Sequence, residues 1–385
     1  MTERLYELDS YCRRFSAVVM ACEPIGEGYG VRLDRTAFFP EGGGQSADAG
    51  KLNGIPVTDV QIVEGDIWHY TAAPLSIGER VEGVLDWDTR FSRMQHHTAE
   101  HIVCGIAHRW HGLENVGFHL GSEDVTLDLS GELTREQLDA IEEEANRVVF
   151  SNVAVTTSIP SPEELSSMPF RSKAGLSGPV RLITVEGVDC CACCAPHVGR
   201  TGEIGLIKLL DFIRYKGGVR IHMLAGAAAL ADYRLRYAQS AEISAKLSVK
   251  QYDLTVAVDR VLTERDSYKL SLREANRRLA DAMVAAVEPT DAPVVLIGMD
   301  WDTETLRRIV NGLTERCGGI CIAYSGVHST YQYVLGGSGD IKAATARMNA
   351  VLSGRGGGDS RQTQGRVQAD EAAIRAFWQD WSAAE

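Results

Sequence analysis

The sequence predicts an α+β protein in four segments: an N-terminal β-barrel, an α+β domain, a helical or coiled-coil segment and a C-terminal α/β domain. Three observations carry this. Up to about residue 88, apolar residues alternate in short runs broken by turn signals, as in GYGVRLDRTAFF and GIPVTDVQIV. From about 225 to 287 the pattern turns long, charged and helical, with no proline. Between and after these stretches, strand-like and helix-like runs are mixed. The expected boundaries are 1–88, 89–224, 225–288 and 289–385, and 385 residues suffice for two to three domains with apolar cores.

The elements follow in order. PEGGGQSADAG, from Pro40 to Gly50, reads as a glycine-rich loop between strands. A helix begins near Asp88 or Thr89, with Phe91, Met94, His97, His101 and Ile102 towards one side, and Gly112 stops it. Strands follow at VGFHL and VTLDLS. Thr134 and Gln137 form a capping box for a helix that buries Leu138, Ile141, Ala145 and Val148. Ser161-Pro162-Glu163-Glu164 opens a short helix. Strands return at VRLITVEGV, GLIKLLDFIRY and VRIHML, with KGG as a hairpin turn. After EPTDAP the expected order is strand VVLIGM, helix TETLRRIVNGLTE, strand GICIAYS, YQYVLGG, and a helix from Asp340. A glycine-rich loop, SGRGGGDSRQTQG, precedes the last helix.

Charge and composition exclude several classes. A net charge of −13 argues against indiscriminate nucleic-acid binding. It leaves room for local basic faces, one around Arg200, Lys208, Arg214, Lys216 and Arg220, another through Lys342, Arg347, Arg355, Arg361 and Arg366. No apolar run is long enough to span a bilayer. MTERLYELDSYCRRF carries acids and no apolar segment, so no secretory signal is expected and the compartment is taken as the cytoplasm. Nine cysteines in a reducing compartment point to metal binding or catalysis before disulfides. GRGGGDS lacks the spacing and lysine of a P-loop.

Four of those cysteines crowd into CCACCAPHVGRTGEIG, from Cys190 to Gly205. Upstream, QHHTAEH places His97 and His101 four apart, about 40° of rotation and about 6 Å of rise on a helix, so both imidazoles can face one ion. Cys193 and His197 repeat the spacing. Zinc takes three or four such N and S ligands in a tetrahedron. Other readings stand beside this one. His96 and His97 can be ordinary helix-surface residues, and the pairs Cys190/Cys193 and Cys191/Cys194 can be redox couples, although Cys190 and Cys191 lie on a strand-like run. HExxH proteolysis fits poorly, since Thr98 follows the first histidine and Glu100 precedes the second.

The segments RTAFFPEGGGQSADAG, QHHTAEH and CCAPHVGRTGEIGLIKL resemble three signatures of alanyl-tRNA editing proteins (AlaX, long form) and of the alanyl-tRNA synthetase editing domain. The resemblance covers roughly Leu5 to Ala225. The stretch GGSGDIKAATARMNAVLSGRGGGDSRQTQG is similar to the DHH-associated domain that ends both kinds of protein. The resemblance implies one Zn2+ per chain, held by His97, His101, Cys193 and His197. Cys194 is an extra thiol, and the matched spacing to His197 selects Cys193. Pro196 stands where the family commonly has threonine.

The implied reaction is hydrolysis of the ester joining serine, or glycine, to the 3′-terminal ribose of tRNA for alanine. Zinc would either activate water or anchor the substrate. Glu100 would act as a base, hold a ligand, or be a surface or supporting carboxylate. The loop Gly42-Gly43-Gly44-Gln45 is implied at the editing pocket, with a tight barrel turn as the plainer account. His119 either lines the amino-acid pocket or is a satisfied core histidine. Arg355, Arg361 and Arg366 suit contact with an RNA backbone. Because the chain opens at the barrel, the expected activity is deacylation in trans, without a synthetase's catalytic half. The helical and C-terminal regions are where a homodimer would form. The rival is a non-enzymatic tRNA-binding protein with a structural zinc, which a closed, fully protein-ligated tetrahedron would favour; an open position facing a cleft would favour the enzyme. A redox protein with a CxxC couple and no metal is the third reading.

Overall fold

The computed structural model describes residues 1–121, 125–172 and 178–382, and the chain divides into two compact units, Met1–Ala241 and Glu242–Glu385. Helix and strand are mixed in both, as the α+β expectation requires.

In the first unit, strands Arg14–Ile25, Gly28–Leu33, Asp66–Thr71, Ile55–Val63, Gly50–Leu52 and Arg80–Leu85 pair in that order. The last pairs back onto the first, so the sheet closes on itself. Period-two alternation sends Val31, Leu33, Ile67 and Val81 inside with Phe15 and Phe38. It also sends His69 inside, where Nδ1–H donates to the Val31 carbonyl at 3.0 Å and Nε2 accepts from Thr36 Oγ1 at 2.8 Å.

Asp86 caps the long helix Trp87–His111, accepting from Thr89 N–H, and Gly112 ends it in the left-handed region (φ 66°). A one-sided amphipathic helix was the expectation. Instead every residue from Met94 to Ala107 is buried, because the helix is enclosed by helix Arg135–Ser151, strand Asp189–Ala192 and a four-stranded sheet. That sheet runs Ile207–Tyr215, Gly218–Ala225, Val125–Leu129, Asn115–Leu120. A three-stranded sheet, Val155–Ser158, Leu182–Val185 and Asp189–Ala192, carries the cysteine segment. The helix is pinned to the closed sheet by Arg90, whose guanidinium is fully buried. It donates to Asp48 Oδ2 through Nε at 2.8 Å and through Nη2, and to the carbonyls of Ala37 at 2.6 Å and Ser10 at 3.1 Å.

The Thr134 capping box is present and its helix buries Leu138, Ile141, Ala145 and Val148. The capping box at Ser161 opens helix Pro162–Ser167. Lys216 (φ 46°) and Gly217 (φ 84°) turn the hairpin between Tyr215 and Gly218. The helical stretch after 225 is two helices, Gly226–Leu247 and Leu254–Ala285, separated at Ser248 (φ 53°).

In the second unit, strands Val294–Gly298, Ile320–Val327, Thr330–Gly337, Gln362–Val367 and Arg355–Gly358 form one sheet in that order. The first pair is parallel and the others antiparallel. Helices Thr303–Thr314, Ile341–Val351 and Glu371–Ser382 accompany it. The glycine-rich stretch expected as a loop is instead the edge hairpin of this sheet. Its glycines suit close pairing rather than coil: a Cβ on Gly356 would lie 2.5 Å from Gly365 Cα and 2.6 Å from Tyr333 Oη.

Candidate metal centre

Four side chains from two segments meet in the first unit. His97 and His101 lie one helical turn apart on Trp87–His111, and Cys193 and His197 stand on the turn that follows strand Asp189–Ala192. One donor atom from each lies within 4.8 Å of the others. The Cys193 sulfur is 3.5 Å from His97 Nε2 and 3.4 Å from His197 Nε2. A zinc tetrahedron with Zn–N of about 2.05 Å and Zn–S of about 2.3 Å has N···S edges of about 3.5 Å. The donor set and its spacing therefore fit that ion. The three rings cluster accordingly, with centroids 4.6 to 5.6 Å apart.

Each imidazole is also addressed from behind. His97 Nδ1–H donates to Gln45 Oε1 at 2.8 Å. His197 Nδ1–H donates to Thr98 Oγ1 at 3.0 Å, because the threonine's own proton goes to the Met94 carbonyl at 2.8 Å. His101 Nδ1 lies 3.4 Å from Asp189 Oδ2, without the alignment of a hydrogen bond. Asp189 is held in turn by Arg171, at 2.7 and 2.8 Å. Acceptors on the Nδ1 side leave the Nε2 lone pairs facing inward, which is how proteins orient histidine ligands.

The charges agree. Burial would raise the Cys193 thiol, but the neighbouring His97, His197 and His101 hold it well below its usual range, as a thiolate. Burial takes His197 down to about 3, so it stays neutral. Burial also pulls His101 down, but Asp189, Cys193 and Glu100 outweigh it and keep the ring protonated. A cation held by His101 would take the place of that proton. Burial would raise the Asp189 carboxyl, yet Arg171 and then His101 hold it at about 2. Cys191 is a second sulfur within reach of His101 and Asp189, but burial pushes it up to about 11, so it is a thiol where Cys193 is a thiolate. All nine cysteines are free, and none forms a disulfide.

Gln45 reaches His97 because the glycine-rich loop is stitched to strand Asn115–Leu120. Leu120 N–H donates to the Gly44 carbonyl at 2.7 Å, and Ser46 N–H to the Leu120 carbonyl at 3.3 Å. Gly43 and Gly44 are left-handed (φ 63° and 86°), and a Cβ on Gly44 would sit 2.1 Å from the Phe118 oxygen. A cleft of about 160 Å³ opens against His97, His101 and Cys193, lined further by Gly43, Glu100 and Phe118.

The other sequence candidates are distributed unevenly. Glu100 is buried in the cleft, not on the surface. His119 does not reach the site: alternation along its strand turns it to solvent and sends Phe118 inward, 5.0 Å from the His97 ring. Gly42 pairs with Gln45 across the loop's own turn. Arg355 and Arg361 are exposed on the edge hairpin of the second unit. The first basic cluster is largely neutralised, with Lys208 on Glu142 at 2.7 Å, Arg214 on Glu132 at 3.3 Å and Arg220 on Asp128 at 2.7 Å. His96 is a satisfied core histidine, bonded to the Ser92 carbonyl and Ala225 N–H. Asp189, Thr98 and Arg171 went unread in the sequence. Their one signal is proximity, Thr98 lying inside QHHTAEH and Asp189 just before the cysteine run.

Residues 180–222 match the family described as the threonyl and alanyl tRNA synthetase second additional domain. An alanine–tRNA ligase from Methanoregula boonei is 33% identical over 386 residues, 94% of this chain and 41% of the ligase. One from Halorubrum lacusprofundi is 33% identical over 376 residues, 93% of this chain and 40% of the ligase. This chain thus spans about two fifths of those relatives. The alanyl-tRNA editing protein Aarsd1 of Mus musculus is 27% identical over 405 residues, 98% of this chain and 97% of the relative. Among solved structures, the C-Ala domain from Aquifex aeolicus alanyl-tRNA synthetase aligns with 23% of this chain and 87% of that one, at 21% identity and a TM-score of 0.21.

Proposed function

The chain is similar over nearly its whole length to an alanyl-tRNA editing protein, and from that premise we propose that it deacylates mischarged tRNA for alanine in the cytoplasm, with zinc held by His97, His101, Cys193 and His197. The observation that carries the reading is the convergence of three imidazoles and one thiolate, each ring set from behind, at the wall of a small cleft. The substrate class follows from a physical need. A pocket built to activate alanine cannot firmly reject glycine, one methyl smaller, or serine, one hydroxyl larger. A second, hydrolytic site corrects the error. A cleft of about 160 Å³ suits a small aminoacyl group.

When bound, the metal supplies Lewis acidity to the ester carbonyl. The chain's own residues do the rest. Gln45 and Thr98 fix the rings of His97 and His197 by hydrogen bonds, the Asp189 carboxylate, held by Arg171, lies beside His101, and Phe118 provides an apolar wall beside His97. Arg355 and Arg361, together with Arg366, supply positive charge for the tRNA backbone.

Zinc-loaded protein should hydrolyse seryl-tRNA for alanine, with glycyl-tRNA as the second substrate. His101→Ala and Cys193→Ala should each lower the rate by about a hundredfold or more through loss of the ion. Unchanged turnover in both variants would remove the metal from the reaction. One observation favours a second reading, a tRNA-binding protein with structural zinc: four protein donors already fill a tetrahedron. No turnover by intact, zinc-loaded protein would select it.

A further inference from the structure

Glu100 is a buried carboxylate whose two oxygens are treated differently. Oε1 accepts from Asn115 Nδ2 and from the Cys104 thiol, the latter at 3.1 Å. Asn115 is anchored in turn, accepting Gly117 N–H at 2.9 Å. Burial, then the charge of Glu100, holds the Cys104 thiol well above its usual range, so it remains a donor. Oε2 makes no hydrogen bond among the described residues, and its charged neighbour is His101 Nε2 at 3.7 Å. The side chain lies against the cleft, where it is the one carboxylate among the lining residues. Half of this carboxylate is locked in place, and the other half is presented to whatever enters.

An aminoacyl ester brings a cation of its own, the α-ammonium group. The donor set of one thiolate and three neutral imidazoles leaves a bound dication with one positive charge uncompensated. An ammonium entering beside it is repelled unless an anion faces both. Desolvating an unpaired ammonium is costly, and a fixed carboxylate removes that cost. We infer that Glu100 Oε2 receives the α-ammonium group of the aminoacyl ester, so that the site accepts esters with a free amine and rejects those whose nitrogen is acylated, including peptidyl esters. This rests on the deacylase reading and deepens it. A general base on the same carboxylate would serve acylated and free substrates alike, and the test separates the two roles.

The probe is 3′-deoxy-3′-(L-serylamino)adenosine, an amide that resists hydrolysis, beside its N-acetyl derivative. Both are titrated calorimetrically into full-length, zinc-loaded protein. The free amine should bind at least about tenfold more tightly than the acetylated form, the scale of one charge-assisted hydrogen bond. Glu100→Gln keeps the length of the side chain and should bring the two affinities to within about twofold of each other, with bound zinc unchanged by elemental analysis. Equal binding of both analogues by the unaltered protein overturns the inference, as does an undiminished preference in Glu100→Gln. Should that variant lose its metal, the two-analogue comparison decides alone, since it needs no substitution. A second arm follows hydrolysis of seryl-tRNA and N-acetyl-seryl-tRNA by the unaltered protein. Equal rates overturn the role of Glu100 and leave the deacylase standing. Hydrolysis of neither removes the deacylase itself, while the binding comparison still judges Glu100.

Discussion

His69 shows how one buried side chain ties stability to pH. It is enclosed in the closed sheet against Phe38, neutral, with both ring nitrogens bonded. Burial pulls its pKa down to about 4, against a smaller opposing effect of the Val31 carbonyl. Folding therefore favours the uncharged ring. The stabilisation is complete above the unfolded value of about 6.5 and is lost as pH falls towards 4, to a total of about 3 kcal/mol. The melting temperature should drop between pH 7 and 5, and His69→Gln should flatten that drop. An equal drop in both proteins would show that His69 is not the titrating group. Legibility at this scale was partial. HxxxH and CxxxH are local spacings, so His97, His101, Cys193 and His197 were readable as candidates. Phe118 in place of His119 was not, because the two face opposite ways on one strand and only the neighbouring helix decides which is inside.

Among the elements, the glycine-rich loop carries the clearest demand. Gly44 touches the backbone of Phe118 where a side chain has no room, and that contact aims Gln45 at His97. Gly44→Ala should destabilise the first unit by about 1–3 kcal/mol and loosen zinc by about tenfold, read from chelator competition and thermal melts. Unchanged zinc affinity would mean that the Gln45–His97 bond does not orient the ligand. Helix ends were legible because caps are written in adjacent residues, as at Thr134 and Ser161. The all-round burial of Met94 to Ala107 was not, since spacing gathers apolar residues on one side only and leaves Glu100, beside His97 and His101, readable as a surface carboxylate. All three are enclosed because they meet Gln45, Asp189 and Asn115, which come from other elements. The edge hairpin at Arg355–Gly358 was missed for a related reason: glycine signals coil in isolation, and here it answers to Gly365 and Tyr333.

Across the whole molecule, each compact unit has its own apolar cores, and every residue of the proposed centre lies in the first. Cutting the chain after Ala241 should therefore leave zinc bound and hydrolysis at saturating substrate intact, while tRNA affinity falls and its dependence on salt flattens with the loss of Arg355, Arg361 and Arg366. Affinity that survives the cut, measured by filter binding across salt concentrations, would place tRNA contact elsewhere. The mixture of strand and helix was visible in the order of hydrophobic periods. The pairing of sheets was not, because register between distant segments is fixed by side chains that meet only after folding.

Arg90 has a bearing on how such a protein can be cut and rejoined. Its guanidinium sits at the foot of the long helix, yet its partners, Asp48 and the carbonyls of Ser10 and Ala37, belong to the preceding segment. A break at residues 88 and 89, where composition changes, would strand a carboxylate in oil on one side and a cation on the other. Recombination that moves the strand-rich piece must carry the first turn of the helix with it, so the inheritable module ends past Arg90 rather than at the boundary drawn from composition.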